Sequence, residues 1–170
     1  MTIRTPSRMS RIVTAALPVA ALVIGCASAR GIGESVNQGD DEAVIKRVIE
    51  TMFTWDPGKD TSPSDAFNRA RPLMSATLSA QQPDFGGPQA GSQWHQWAYD
   101  RATITAKADI VSDEHPPDTA EKHYRVVAIK QTINTATVGA GDATGNQINA
   151  TVWVTAVHTQ DGWRVDSIQT

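Results

Sequence analysis

The C-terminal half of the chain alternates between apolar and polar residues, a pattern typical of β-strands that bury one face. The first run, residues 103–110, has a predicted core face of Ile104, Ala106, Ala108 and Ile110. Residues 122–138 are apolar on both faces at their centre, so we expect a central strand there. Residues 146–159 alternate again, with a predicted core face of Ile148, Ala150, Val152, Val154 and Ala156.

Two turn sequences connect the later strands. Asp161 and Gly162 predict a two-residue hairpin turn into a fourth strand, 163–169, because both positions of such a turn favour a positive φ. Residues 139–146, rich in Gly, predict a looser hairpin between the second and third strands. The four strands therefore predict an antiparallel meander.

Helical spacing precedes the strands. Asp40 or Asp41 can cap a helix that carries one apolar face, formed by Val44, Ile45, Val48, Ile49, Met52 and Phe53. Pro57 and Gly58 end this helix. A second helix is predicted to begin near Ser64 or Asp65. Pro72 either lies at its end or begins another short helix through Leu73, Met74 and Leu78.

Residues 83–91 predict a loop by composition, and residues 92–100 are either helical or lead directly into the first strand. On a helix, Trp94 and Trp97 share one face. The simpler interpretation is that these indoles plug one end of the sheet, and the alternative is an aromatic pocket mouth. We thus predict a single α+β domain over residues 40–170, with helices packed on a curved four-stranded antiparallel sheet.

The N-terminus has the composition of a secretory signal peptide. Arg4, Arg8 and Arg11 precede an apolar stretch, residues 12–25, which is too short to span a bilayer comfortably. The residues around Cys26, the single cysteine, resemble a bacterial lipobox, "VIGC". That resemblance implies cleavage after residue 25 and a diacylglyceryl group on the Cys26 thiol. The alternative is a free cysteine, with cleavage at Ala27 or Ala29.

Residues 26–39 predict a flexible tether, since they are rich in small and polar residues without apolar periodicity. Without residues 1–25 the chain keeps 12 basic and 18 acidic residues, a formal charge of −6. Nucleic acid is therefore an unfavourable partner. No run of Lys or Arg follows the leader, so the sequence assigns membrane attachment to the lipid alone.

The order of helices followed by four strands that end in "DGWRVDSI" resembles the nuclear transport factor 2-like, cystatin-like cone. Within that group the chain is similar to small envelope proteins of actinobacteria, which include accessory proteins of conjugative secretion and lipid-import systems. The resemblance covers residues 40–170 and implies the fold more than the function.

Relatives of this fold include enzymes of the ketosteroid-isomerase type, which use an acid or base inside an apolar cone. Polar candidates for such a site are Tyr99, Asp100, Asp109, Tyr124 and His158. Their spacing fixes no catalytic pair. The segment with His115, Asp118, Glu121 and His123 has metal-ligand chemistry but no known ligand spacing, so a solvated hairpin loop is the preferred interpretation. No cofactor or metal is expected.

The favoured hypothesis is a lipid-anchored binding or assembly module on the extracytoplasmic face of the cell membrane. Its partner would be an envelope protein or a second copy, reached through a sheet face with Thr103, Thr105, Thr151, Trp153 and Thr155. The alternative is a small-molecule site or an enzyme in the cone. The residues predicted to line a cavity or an interface are Trp94, Trp97, Tyr99, Tyr124, Trp153 and Trp163.

Overall fold

The computed structural model describes residues 36–81, 87–135 and 147–170. Its helices are α1 (Asp41–Met52), α2 (Pro63–Ala70), α3 (Ala76–Ser79) and α4 (Gly87–Tyr99), with a 3-10 turn at Arg71–Leu73. Its strands are β1 (Thr103–Val111), β2 (Lys122–Asn134), β3 (Gln147–Thr159) and β4 (Gly162–Gln169). The strands form one antiparallel sheet in the order β1-β2-β3-β4, which confirms the predicted α+β meander.

Helix α1 is the element that packs most deeply on the sheet. The Asp40 carboxylate caps it by accepting the Ala43 N–H at 3.1 Å, and Asp41 and Glu42 lie in its first turn, where the helix dipole favours negative charge. Its apolar stripe is fully buried, namely Val44, Ile45, Val48 and Ile49. Each such burial is worth roughly 1.5–3 kcal/mol, so this contact dominates the core.

The sheet has two faces, which we call inner and outer. The inner face is turned toward α1, and the space between them is filled by side chains that are at most 2% exposed, among them Phe67, Leu73, Ile129, Val152 and Val154. The outer face carries the alternate residues of each strand, such as Thr105 on β1 and Trp153 on β3. Helix α1 thus leaves the outer face without cover of its own.

The free edge of β1 is hydrogen-bonded by the end of α1 and the chain that follows it. Trp55 and Ile104 exchange two backbone hydrogen bonds, at 2.8 and 2.9 Å. The Thr54 hydroxyl accepts the Ala106 N–H at 3.0 Å, and the Glu50 carboxylate accepts the Ala108 N–H at 3.3 Å. Covered edges do not template pairing with another strand, so this edge is protected from aggregation.

The free edge of β4 is covered in a similar way, at two points. The Ser75 N–H donates to the Val165 carbonyl at 2.7 Å, and the Trp163 N–H donates to the Gln38 carbonyl at 2.8 Å. The second bond, together with packing of Val36 against the core, holds residues 36–39 on the domain. The last four residues of the predicted 26–39 tether therefore belong to the folded unit, and residues 26–35 lie outside the described ranges.

The β3–β4 turn differs by one residue from the prediction. Thr159 pairs with Gly162, so the turn residues are Gln160 and Asp161, and Gly162 begins β4 with a φ of 97°. Neither turn residue has a positive φ, which places the single left-handed residue after the turn rather than within it. The Gln38 carbonyl lies where a Cβ of residue 162 would stand, which is a second reason for glycine.

Two further sequence predictions were wrong in detail. Ile148 is 40% exposed and Ala150 is exposed, although both were predicted in the core. The reason is that β4 ends opposite Trp153, so the first half of β3 has β2 on one side and no described strand on the other. Residues 87–91, predicted as loop, form the first turns of α4, where Pro88 is compatible with helix because the first helical N–H groups need no partner.

Helix α4 ends in a Schellman motif that uses arginine in place of glycine. The Ala102 N–H donates to the Trp97 carbonyl at 2.8 Å and the Arg101 N–H to the Ala98 carbonyl at 3.2 Å. Arg101 has a φ of 51°, in the left-handed region, which for a residue with a Cβ costs about 1–2 kcal/mol. The buried Ala102 leads directly into β1.

We predict that Gly162→Ala lowers the free energy of unfolding by about 2–3 kcal/mol, from the positive φ and the lost Gln38–Trp163 hydrogen bond. Gly91→Ala is the matched control, since its Cβ meets nothing within 4 Å in the middle of α4. That variant should be more stable by about 0.5–1 kcal/mol. Urea unfolding of both measures the difference, and equal stability would refute the assigned contact at Gly162.

We also predict that Arg101→Gly raises stability by about 0.5–1 kcal/mol, because it relieves the left-handed strain but adds backbone entropy to the unfolded chain. Arg101→Ala removes the same charge and keeps the Cβ, so it should show no gain. Thermal unfolding of the two variants separates backbone strain from electrostatics. A gain of equal size in both would contradict the Schellman assignment.

Candidate functional site

The outer face of the sheet holds the side chains that the sequence proposed as an interface. Thr103, Thr105 and Thr151 are exposed there, and Thr155 is half-buried. Trp153 is 43% exposed and lies opposite Val126, which is fully buried, with Val111 next in the same cross-strand row. Tyr124, half-buried, is two residues along β2 on this face. The outer face therefore has an apolar centre surrounded by threonine hydroxyl groups.

Basic side chains on the outer face are a feature that sequence reasoning missed. Lys107 and Lys130 are direct cross-strand partners, and both are exposed. Lys122 and Arg164 lie on the same face at the other end of the sheet, on either side of Val157. These four residues are far apart in the chain, and the strand register brings them together. The buried positions show which residues of each strand share the outer face. Which basic residues lie opposite each other follows only once the lengths of the loops between the strands are known.

An aromatic cluster of Trp55, Trp94 and Trp97 lies at the end of the sheet where β1 begins. The Trp55 ring stands 6.0 Å from Trp94 and 6.1 Å from Trp97, and its Nε1 donates to the Met52 carbonyl at 2.8 Å. Trp94 is buried and Trp97 half-buried, so these rings close the core at this end. Tyr99, at the last position of α4, is 85% exposed and belongs to neither the cluster nor the outer face.

Trp163 belongs to the inner face, at the end of the sheet where β4 begins. Its ring is 4.1 Å from that of His123 and 4.9 Å from that of His158, and the indole is 7% exposed. His123 Nδ1 is 3.0 Å from the Asp41 carboxylate, a close polar contact that lacks regular hydrogen-bond geometry. Trp163 is therefore a packing residue between two imidazoles rather than an exposed contact.

Arg125 connects α1, β2 and the β1–β2 loop through charge. Its guanidinium is 3.0 Å from Asp41, 3.4 Å from Glu42 and 2.7 Å from Asp118. Burial alone would raise the pKa of Asp118, but the Tyr124 N–H and the Arg125 guanidinium outweigh it, and the pKa of Asp118 is lowered. This network of charged side chains lies at the edge of the core, beside the start of α1.

The polar residues weighed as catalytic are not brought together. Asp100 accepts a hydrogen bond from Gln96 at the end of α4, whereas Asp109 and Tyr124 lie on the outer face. His158 is exposed beside Trp163, at the opposite end of the sheet from Tyr99. Two depressions lined by described residues, one beside Trp55 and one beside Lys130, are open to solvent.

The residues of segment 115–123 that were considered as metal ligands also have separate partners. Asp118 bonds to Tyr124 and Arg125, and His123 stacks on Trp163. His115 Nδ1 is 2.8 Å from the Pro116 carbonyl, and Glu121 accepts the His158 N–H through its carbonyl. Within the described ranges, no three His, Cys, Asp or Glu side chains are grouped to hold a metal ion.

Cys26, the predicted lipidation site, lies outside the described residues, as does the predicted signal peptide. None of the helices within residues 36–81, 87–135 and 147–170 is long and apolar enough to cross a bilayer.

Comparison of the sequence with protein-family models, with curated proteins and with solved structures finds no match in any of the three.

We predict that Asp118→Asn destabilises the protein by about 1 kcal/mol at neutral pH, because it weakens the Arg125 network at a partly solvated site. A lowered folded-state pKa gives stability that is complete above the ordinary carboxyl pKa and lost as pH falls through the folded value. The deficit should therefore shrink below about pH 4.

Denaturant unfolding at neutral and acidic pH measures this change. Asp113→Asn is the control from the same loop, since the Asp113 carboxylate is exposed and accepts the Glu114 N–H. A deficit for Asp118→Asn that stays constant down to acidic pH would contradict the ionic role of Asp118.

Proposed function

We propose that the protein is a lipid-anchored module on the extracytoplasmic face of a bacterial membrane, which acts by contact through the outer face of its sheet. The observation that carries this proposal is Trp153, 43% exposed at the centre of a face that α1 leaves uncovered. Exposed aromatic residues within a polar rim are typical of interaction surfaces. The scattered acids, bases and imidazoles support contact rather than catalysis.

The anchor would be a diacylglyceryl group on Cys26. Support comes from the basic and apolar leader that ends at this cysteine, and from its position ten residues before Val36. Residues 36–39 are held against β4, so nine residues, 27–35, separate the anchor from the folded unit, and the ten steps from Cys26 to Val36 reach at most about 35 Å. The domain would thus work close to the membrane surface.

The finer fold proposal is a nuclear transport factor 2-like cone. It is supported by the order of helices before a four-stranded meander and by the position of Trp163, whose "DGWRV" segment begins β4 and buries the indole in the core. By this likeness we propose an accessory role in a secretion or transport complex of the envelope. The partner would then be a component of that complex or the membrane itself.

We predict that Cys26→Ser moves the protein from the membrane fraction to the soluble or secreted fraction, because a serine cannot accept the thioether-linked lipid. Globomycin, which blocks lipoprotein signal cleavage, should cause the unprocessed chain to accumulate. Ser28→Ala is the control, since it lies beside the cysteine and leaves "VIGC" intact. Membrane fractionation measures where each variant is located, and intact mass shows whether the leader is cleaved and the lipid is attached. A membrane fraction unchanged by Cys26→Ser would refute the anchor.

A further inference from the structure

We propose that the outer face of the sheet rests on the anionic phospholipid headgroups of the bilayer that holds the anchor. This inference rests on the proposed lipid anchor and adds what the face contacts. Three features favour an anionic lipid surface as the partner of this face. They are the charge of the face, its exposed indole, and the point where the anchored segment joins the domain.

The charge of the face is opposite to that of the chain. After residues 1–25 are removed the chain has a formal charge of −6, yet four of its twelve basic residues lie on the outer face, namely Lys107, Lys122, Lys130 and Arg164. Asp109 is the exposed acidic residue on this face. Basic residues close to an anionic membrane surface each add to binding, and these four are already fixed by the sheet.

Lys107 and Lys130 give the sharpest indication of an anionic partner. They are direct cross-strand neighbours, and like charges in such positions destabilise a sheet. Next to them, Asn149 pairs with Lys130 and completes a polar row of three side chains. Asp109 lines the same open depression as Lys130 and offsets part of this repulsion, and a phosphate group above the row would remove the rest.

Trp153 lies between the two basic ends of the face. Lys130 and Lys122 are eight residues apart on β2, about 26 Å, and the Val126–Trp153 pair is midway. Indoles favour the headgroup region of a bilayer, where the ring is partly dehydrated and the N–H keeps a polar partner. One indole between basic side chains is the combination that favours an anionic headgroup region.

The anchored segment reaches this face. Gln38 bonds to Trp163 at the edge strand β4 and Val36 packs on the core, and the ten residue steps from Val36 back to Cys26 extend to at most about 35 Å. The strand ends beyond Lys122 carry the carboxylates Asp113, Glu114, Glu121 and Asp161, which an anionic bilayer repels. The Lys107–Lys130 end should therefore lie nearer the membrane than the β3–β4 turn. The anchored segment joins the domain beside that turn, and its reach of about 35 Å exceeds the roughly 26 Å between the two ends of the face.

A second copy is a less favourable occupant. Two outer faces stacked about a two-fold axis through Trp153 would bring the basic ends of one copy onto the basic ends of the other. Like charges brought face to face oppose association. An anionic lipid surface has no such conflict.

The experiment uses the full lipidated chain, purified in detergent and reconstituted into phosphatidylcholine vesicles with or without phosphatidylglycerol. A single introduced cysteine carries a fluorescent donor, either at Thr151→Cys on the outer face or at Tyr99→Cys off it. Acylated Cys26 does not react with the label. Energy transfer to an acceptor lipid should be stronger from residue 151 than from residue 99 in phosphatidylglycerol vesicles, and high salt should abolish the difference.

The decisive variant is Lys107→Gln with Lys130→Gln, which should reduce the docked-to-undocked ratio roughly tenfold. It should not unfold the protein, because it removes a like-charge pair. Lys46→Gln with Arg47→Gln makes the same charge change on α1, on the inner side of the sheet, and should leave docking intact.

The two proposals fail in different ways. A reactive Cys26 thiol and no flotation with neutral vesicles would remove the anchor and, with it, this inference. Normal flotation with equal transfer from residues 151 and 99, or with no effect of the Lys107 and Lys130 changes, would overturn the docking alone. A lipid-independent dimer that is lost in Trp153→Ala would assign the face to a second copy and would also overturn it.

Discussion

Hydrogen bonds along both edges of the four-stranded sheet limit what this molecule can contact. On β1 the Trp55 backbone, the Thr54 hydroxyl and the Glu50 carboxylate take the edge groups, and on β4 the Gln38 and Ser75 backbones do so. Strand addition at these positions would first have to break those bonds. Contact with a partner at these positions is therefore directed to side chains, whereas residues 147–152 of β3 keep an edge that no described strand pairs. The outer face is the broad surface that α1 does not cover.

The same bonds connect the N-terminal segment to the interaction surface. Because the Gln38 carbonyl accepts from Trp163, the chain that leads back to Cys26 leaves the domain at the β4 edge. Gly162 permits this approach, since a Cβ there would meet the Gln38 carbonyl. Under the proposed lipid anchor, one hydrogen bond beside one glycine limits how far the outer face can be from Cys26, so the stability of the domain and its proposed position at a membrane depend on the same contact.

The sequence predicts those features that repeat with a regular period. The apolar stripe of α1 and the alternation in β1 predict the helix, the strands and most of the core residues, because an apolar residue at that spacing is buried on one face of the element. Features that depend on a partner far along the chain were not foreseen. Gln131 is buried because its Nε2 donates to the Phe53 carbonyl at 2.7 Å. Arg125 is half-buried because three carboxylates surround it. Neither residue differs from a solvated one in its local sequence.

The charge pattern of the outer face is a consequence of how the core is packed. A slip of one residue between β1 and β2 would turn Lys107 toward α1 and bring Ile104 and Ala108 to the outside, which burial forbids. The Thr54 and Glu50 contacts fix the same register from the edge. The Lys107–Lys130 repulsion is therefore imposed by the fold, and it is small beside the buried apolar residues that set it. A surface cost of this kind persists without loss of the fold, and it is relieved wherever an anion meets the pair.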